Sequence, residues 1–295
     1  MEELSRKYRL NHHIFDEGLN VNDIAHYDLF FLIEKKNLRV CIIDARNHQC
    51  IFLEDYKFSN VLGVEDLINN LNELHESHKL LPAGYWKRVR LGVRDEAFTF
   101  IPSLLFDEAH LPDYIKLVKG KKEPEDDLFF YKQLSTSATN VFTASKRIID
   151  WFRSNYPTRQ IEIVHQASAF LEGVMQENSS QEPSIHICTE SRYLDILVIQ
   201  GNQLLHANTF SYHSPQDYVY FLMFVMDELK LNPITCPVTL YGEISPDSSI
   251  YTLVLKYVKQ VSLGNKPSSV TFGYQFDEIL DHRYFDLYSM YFCSQ

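Results

Sequence analysis

Four carboxylates stand where short apolar segments and turns could bring acidic groups together. Asp28 and Glu34 bracket one apolar segment, and Glu190 and Asp195 flank a later turn. Carboxylates that face each other across a cleft could hold Mg²⁺ beside a phosphate. Their neighbours are large and would crowd a phosphate, namely Lys35, Lys36, Arg192 and Tyr193. We therefore interpret the four carboxylates as ordinary charges at the ends of strands.

Histidines are the second set of residues that could do chemistry. His75 and His78 are three positions apart, whereas the zinc-protease motif needs four, and no third ligand is evident. We predict that this pair lies on a solvent-facing helix surface and that the chain holds no metal. The later histidines are interpreted as hydrogen-bonded residues of a sheet, and they are His186, His206 and His213.

Glycine placement excludes several kinds of catalytic loop. The chain has ten glycines, and the two nearest each other, Gly84 and Gly92, are eight positions apart. This spacing rules out Gly-x-Gly-x-x-Gly and Gly-x-x-x-x-Gly-Lys, which both need a close approach of backbone to phosphate. It also rules out the Gly-x-Ser-x-Gly nucleophile elbow. The common glycine signatures of nucleotide binding and acyl transfer are therefore missing.

Composition narrows the partners and the compartment. The 295 residues carry a net charge of −11, which argues against nucleic acid and anionic lipid because both need a basic face. The five cysteines include no Cys-x-x-Cys pair, which fits a reducing cytoplasm. The longest apolar run, Tyr218–Met226, is far shorter than the roughly 20 residues of a bilayer span. The polar N-terminus has no signal-peptide pattern. We expect a soluble, cytoplasmic protein without membrane insertion.

These residues belong to a strand pattern that occurs twice. The first copy comprises Leu29–Glu34, Arg39–Asp44 and Cys50–Phe58, and the second comprises Ser184–Glu190, Tyr193–Gln200 and Gln203–Tyr212. A helix follows each copy, and a further strand follows each helix. The pattern predicts a duplicated α/β fold with two mixed-sheet domains flanking a cleft. We place a polar, irregular arm at residues 1–26, the first domain at residues 27–182 and the second at residues 183–295.

The chain resembles the DUF3822 family of uncharacterised Bacteroidetes proteins. The resemblance covers most of the chain after residue 26 and is most specific between Leu204 and Val261. Its motifs in the second half are Asn208–Tyr212, Gln216–Tyr220, Leu240–Ile244 and Asp247-Ser248, and those in the first half are Phe98–Pro102 and Leu105-Phe106. The resemblance implies an actin-like ATPase fold, which is a ribonuclease-H-like duplication. It implies no established activity.

Active members of that fold bind phosphates on two hairpin turns, each of which usually has an acidic residue and a glycine. They bind adenosine with a Gly-Gly turn. The corresponding places in this chain are Glu34–Asn37, Glu190–Tyr193 and Tyr241–Glu243, and Gly242 is the one glycine among them. We therefore predict a degenerate nucleotide site, no cofactor and no catalysis.

The leading hypothesis is a non-catalytic interaction or scaffold protein. Its partner would be another protein or a second copy, meeting the cleft or the aromatic segment Phe276–Phe292, although we expect that segment to dock on its own domain. The alternative is a protein that binds ATP or another nucleotide with atypical loops, with Gly242 near the base and Glu190 or Glu34 near the metal. A third class is a small-molecule enzyme that uses a pocket elsewhere.

Overall fold

A computed structural model of the chain describes residues 8–94, 97–119 and 126–294. The strands in chain order are β1 (Tyr8–Phe15), β2 (Tyr27–Ile33), β3 (Asn37–Asp44), β4 (Gln49–Phe58), β5 (Arg88–Val93), β6 (Phe98–Pro102), β7 (Asp126–Lys132), β8 (Ala138–Ser145), β9 (Glu162–His165), β10 (Pro183–Glu190), β11 (Tyr193–Gln200), β12 (Gln203–Ser211), β13 (Val238–Gly242), β14 (Val261–Leu263) and β15 (Thr271–Phe272). The α-helices are α1 (Val64–Ser77), α2 (Leu111–Lys119), α3 (Lys146–Asn155), α4 (Gln166–Glu177), α5 (Pro215–Glu228), α6 (Ser249–Tyr257) and α7 (Phe285–Ser289). Short 3-10 helices lie at Val21–His26, Ser103–Leu105, Glu108–His110, Tyr274–Glu278 and Met290–Phe292.

Two large sheets repeat one arrangement of strands. The first sheet has the order β1-β4-β3-β2-β5-β9, with β15 also paired to β4, and the second has the order β12-β11-β10-β13-β14. In each sheet an antiparallel three-strand meander is followed by a strand parallel to its first member, β5 beside β2 and β13 beside β10. A smaller sheet has the order β6-β8-β7. The duplication predicted from the sequence is confirmed.

Backbone register makes the two copies equivalent residue by residue. Glu34 bonds to Asn37 across the first turn, and Glu190 pairs with Tyr193 across the second. A β-bulge then follows Ile42 in the first meander and Val198 in the second, each eight positions after the glutamate. Since a bulge is a local insertion that bends its strand, its recurrence at the same place marks the two meanders as copies.

Packing explains why the central strands are so apolar. Every residue of β2 is buried, because α1 and α3 cover one face of the first sheet and α4 and α7 lie on the other. The second sheet packs against α5 and α6. Helix α5 begins at Pro215 because Ser214 and Asp217 form a capping box, which satisfies backbone N–H groups at the helix start. Within the described residues, no helix combines the length and the apolarity needed to cross a membrane.

The C-terminal segment, residues 271–294, returns to the first sheet. Strand β15 pairs with β4, and α7 contacts β2, β3 and β13. Helix α7 lies so close to α4 that a Cβ on Gly173 would stand 2.0 Å from Ser289 Oγ. The segment contributes large buried side chains to the first core, including Phe276, Tyr284 and Tyr288. The segment docks within the protein, as predicted, but the prediction that it docks on its own domain was wrong, because most of its buried side chains pack in the first core.

The N-terminal arm requires a correction. Residues 1–7 lie outside the described part of the chain, but Tyr8–Phe15 is a regular strand that pairs antiparallel with β4. The prediction of an irregular arm was wrong there because β1 is an edge strand with most of its side chains accessible. Its pairing comes from backbone hydrogen bonds, so an apolar pattern was not needed. The predicted domain boundaries stay a prediction.

Candidate functional site

The ends of the central strands of both sheets meet between the β2–β3 and β10–β11 turns. Arg39 of β3 reaches across to Glu190 at the end of β10, and its two terminal nitrogens donate to both carboxylate oxygens, Nη1 to Oε1 at 2.7 Å. Only 2% of the Arg39 side chain and 1% of the Glu190 side chain are exposed. A fork-to-fork pair of this kind fixes both position and orientation. It therefore joins the two copies at the place predicted for the cleft.

The pKa values of this pair reflect its burial. Burial acts to raise the pKa of Glu190, whereas the Arg39 guanidinium, which bonds both carboxylate oxygens, opposes the rise and favours the ionised form. Burial alone would lower the pKa of Arg39, but Glu190 and Glu34 together hold it well above its ordinary value. Arg39 is therefore a permanent cation in an interior site, and Glu190 is its nearest anion.

A second arginine bridges the copies beside the first. Arg94 follows β5, and its Nη2 donates to Asp195 Oδ2 of β11 at 2.8 Å. Its Nη1 lies 3.6 Å from Glu34 Oε1. Thr209 of β12 donates its hydroxyl to the other oxygen of Asp195 at 2.5 Å. Because Glu34 and Asp195 are both acidic, Arg94 supplies the positive charge that allows them to lie together.

A fourth acid closes the site from the C-terminal segment. Asp286 of α7 lies 4.0 Å from Arg39 Nη1 and accepts a hydrogen bond from Gln166 Nε2 at 3.0 Å. Donor atoms of Cys188, Glu190 and Asp286 lie within 4.8 Å of one another, and all three residues are buried. Arg39 already binds Glu190 through both oxygens and burial raises the pKa of Cys188, so this group does not offer a free set of ionised metal ligands. We interpret it as part of the ion-pair cluster.

The turn after β13 forms the remaining wall. Gly242 has φ +81°, and a Cβ there would stand 2.2 Å from the carbonyl oxygen of Thr189, so glycine is required by both conformation and space. Glu243 accepts from Ser191 N at 3.0 Å and from Arg283 Nη2 at 2.7 Å. Burial alone would raise the pKa of Glu243, but the nearby Arg283 guanidinium lowers it, and the pKa lies below its ordinary value. Gly242 thus allows the end of β13 to lie close against the backbone of Thr189 in β10.

The site residues named from the sequence lie close together, but with partners that the sequence did not reveal. Glu34 and Glu190 both belong to the ion-pair cluster, and Gly242 adjoins it. Lys36 and Arg192, expected to crowd the turns, are exposed instead. The residues that fill the space, Arg39 and Arg94, were missed. A charge within the apolar strand Leu38–Asp44 was the available signal, since buried arginines are rare unless paired.

The remaining candidates do not converge on this site. Asp28 pairs with Arg88, Oδ2 to Nη2 at 2.6 Å. His78 Nε2 lies 3.0 Å from Glu54 Oε2, whereas the ring of His75 packs on Trp151 and Tyr156, so the helix histidines have separate partners and are only partly solvent-facing.

The sheet histidines also have ordinary neighbours. His186 Nε2 lies 3.0 Å from Ser184 Oγ, and its ring stacks on Tyr241. His206 stacks on Phe210. The interpretation as hydrogen-bonded residues of the sheet agrees with the contact of His186, whereas Nε2 of His206 has no hydrogen-bond partner among the described residues.

The family model for a protein of unknown function, DUF3822, matches residues 16–261. The chain belongs to the DUF3822 family. No curated protein matches it. This DUF3822 protein is similar to a crystal structure of a Bacteroides thetaiotaomicron protein with an actin-like ATPase fold and unknown function. The TM-score is 0.79 at 17% identity, with 94% of this chain and 99% of that chain covered.

The DUF3822 protein is also similar to a chain of the PilM–PilN type IV pilus biogenesis complex. The TM-score is 0.64 at 11% identity, with 91% of this chain and 99% of that chain covered. At such identities the likeness establishes the fold alone. The DUF3822 protein therefore has the actin-like ATPase fold that the sequence resemblance implied.

Proposed function

We propose that this DUF3822 protein is a non-catalytic interaction or scaffold protein whose actin-like ATPase fold carries a degenerate nucleotide site. The observation that carries the proposal is the buried pair of Arg39 and Glu190 between the two turns on which nucleotide-binding members of this fold hold phosphates. Both turns also lack glycine. The charged side chains of this site join the two copies of the meander to each other and do not bind a ligand.

Magnitudes favour the ion pair over a nucleotide. Removing one partner from a buried ion pair costs about 3–5 kcal/mol. A nucleotide bound with a millimolar dissociation constant gains only about 4 kcal/mol. A triphosphate that displaced Glu190 from Arg39 would also meet the nearby carboxylates of Glu34, Asp195 and Asp286, which repel it. The free-energy cost of breaking the ion pair is therefore about as large as the free energy gained from weak nucleotide binding.

The class of partner follows from which surfaces of the protein remain accessible. The C-terminal segment is docked in the first core, and the space between the turns is filled by paired charges. We infer that a partner protein or a second copy meets an outer surface of the molecule. The PilM–PilN complex supports this inference by analogy, since a chain of similar fold there acts in an assembly with another protein.

The experiment is a thermal unfolding titration with Mg²⁺ and ATP up to millimolar concentration. A ligand that binds the native state raises the unfolding temperature, and the rise continues to grow with ligand concentration even after the site is saturated. We expect no rise beyond that given by inorganic triphosphate and sulfate at equal ionic strength. A rise specific to ATP that Glu34→Gln abolishes and Lys36→Ala retains would overturn the proposal and support the nucleotide-binding alternative with Glu34, Glu190 and Gly242.

Self-association is tested with the protein alone. The mass measured by light scattering after size-exclusion chromatography, over a hundredfold range of protein concentration, separates a second copy from a different partner. A mass that rises towards twice 34.6 kDa supports self-association. A constant monomer mass leaves a different protein as the partner.

A further inference from the structure

Two cysteine thiols lie together in the core of the first sheet, away from the ion-pair cluster. Cys41 Sγ and Cys50 Sγ are 3.5 Å apart, on neighbouring strands β3 and β4. The β-bulge after Ile42 places Cys50 opposite Ile43, so that both thiols point to the same face of the sheet. Cys50 Sγ also donates to the carbonyl oxygen of Phe52 at 3.7 Å. The two sulfurs are held in contact by the backbone.

The C-terminal segment covers this thiol pair. Phe272 of β15 is the register partner of Cys50, and the Phe272 ring packs edge-on against Tyr288 at 4.8 Å between centroids. Tyr288 is buried, its pKa is raised first by that burial and then by Cys50 and Cys41, and its hydroxyl has no hydrogen-bond partner among the described residues. Both cysteines have no exposed surface. A reagent therefore reaches them only when this segment lifts away.

We propose that Cys41 and Cys50 are a disulfide-forming pair that reacts with small-molecule disulfides, and that the C-terminal segment, residues 271–294, controls access to it. A disulfide bond is about 2.05 Å long, so the sulfurs must close by about 1.5 Å. The other cysteines, Cys188, Cys236 and Cys293, are buried without a thiol neighbour of this kind in the described structure.

The reaction is thiol–disulfide exchange with a compound such as oxidised glutathione. One cysteine thiolate attacks a glutathione sulfur, the S–S bond of the reagent breaks, and one glutathione leaves. The second cysteine attacks the mixed disulfide and releases the second glutathione. The two cysteine sulfurs lose two electrons, which reduce the reagent, and the two protons end on two glutathione thiols. The new bond joins β3 to β4 across the bulge.

The test is mass spectrometry of the folded, full-length protein after incubation with oxidised glutathione. We expect a loss of about 2 Da, from the two hydrogens, without a retained glutathione. Alkylation should then count three thiols in place of five. Trypsin should release residues 40–46 and 47–57 as one disulfide-linked species. Retained glutathione, a linkage to another cysteine, or five thiols under conditions in which the urea-unfolded chain reacts would each overturn the proposal.

Single variants identify the pair. Cys50→Ala should convert the loss of 2 Da into a glutathione adduct on Cys41, because the resolving thiol is missing. Cys236→Ala, which removes a buried cysteine of the second core, should react as the unaltered protein does. An internal disulfide that persists in Cys50→Ala would contradict the assignment.

The rate of oxidation tests the role of the C-terminal segment. Phe272→Ala loosens β15 without altering either thiol, and we expect oxidation to become about tenfold faster, as a local opening cheaper by about 1.4 kcal/mol allows. Ile187→Val weakens the core of the second sheet and should leave the rate within about twofold. Equal acceleration by both variants would mean that the thiols react from the globally unfolded chain, and would overturn control by the segment.

Discussion

Around the cleft, the first and second copies of the sheet carry opposite charges at two of their equivalent positions. Register equates Glu34 with Glu190, since each directly precedes a two-residue turn and pairs with the residue that follows the turn. It likewise equates Arg39 with Asp195, each two positions past the turn's pairing residue. At the neighbouring parallel strand, Arg94 follows the partner of Ile33, as Glu243 follows the partner of Thr189. At these last two positions the first copy presents cations and the second presents anions, whereas both copies keep the glutamate at the turn.

This difference shows how a duplicated fold can hold its own halves together. In a twofold arrangement residue i of one copy meets residue j of the other, so the contact of Arg39 with Glu190 implies that their equivalents, Asp195 and Glu34, also face each other, although both are acidic. Here Arg39 meets Glu190, and Arg94 meets Asp195. The second copy, which has Glu243 in place of the arginine, obtains its cation from Arg283 near the C-terminus. Divergence of the copies has produced a complementary internal interface.

The largest predicted effect breaks the best-buried of these pairs. Arg39→Ala leaves Glu190 and Asp286 without their nearest cation in a buried site, and we expect a loss of about 4 kcal/mol in the free energy of unfolding. Urea unfolding at pH 7 measures it. Lys36→Ala, on the exposed turn of the same hairpin, should change stability by less than about 0.5 kcal/mol.

The double variant Arg39→Met, Glu190→Leu sharpens this test. Replacing both partners of a buried ion pair by apolar side chains is often neutral, so we expect stability within about 1 kcal/mol of the unaltered protein. A double variant as unstable as Arg39→Ala would mean that the loss comes from packing rather than from an unpaired charge.

The next largest effect on stability concerns Gly242, the position at which β13 of the second copy differs from β5 of the first. Gly242 is equivalent in register to Val93 of the first copy. A side chain fits at Val93, but Gly242→Ala would combine a positive φ with a clash against the Thr189 carbonyl, and we expect a loss of about 3 kcal/mol. Thermal unfolding provides the measurement. Gly84→Ala, where no atom lies within 4 Å of the added Cβ, is the control and should lower stability little.

The smallest effect compares His186 with its first-copy equivalent, Phe30. Burial lowers the pKa of His186 to about 4, from 6.5 when exposed. The unfolded chain therefore binds the additional proton between pH 6.5 and 4, so this contribution to stability is present above pH 6.5 and is lost as the pH falls. A shift of one pKa unit corresponds to about 1.4 kcal/mol. Because the His186 ring is partly accessible, we expect less than the full value, namely a loss of about 2 kcal/mol in the free energy of unfolding.

His186→Phe installs the first-copy residue and removes that titration. The difference in unfolding free energy between pH 7 and pH 4.5 should be smaller in this variant than in the unaltered protein. An unchanged difference would show that His186 does not titrate on unfolding, and that the two copies do not differ in acid sensitivity at this position.

The sequence predicted elements well where local chemistry decides them. The meanders were located to within two residues because apolar strands alternate with polar turns. Strand β1 was missed because an edge strand needs no apolar pattern. The ion pairs were missed because Arg39 and Glu190 are 151 positions apart, and their contact depends on how two sheets meet.

The path of the C-terminal segment has a consequence for biosynthesis. Residues 8–58 supply β1 to β4, which leave the ribosome before the other described strands, yet their core also contains Tyr284, Tyr288 and Met290. Domains generally fold as units during synthesis, from the N-terminus onward. In this chain the second sheet can complete its core while the first still lacks residues not yet translated. The half of the molecule that is made first is therefore the half that is finished last.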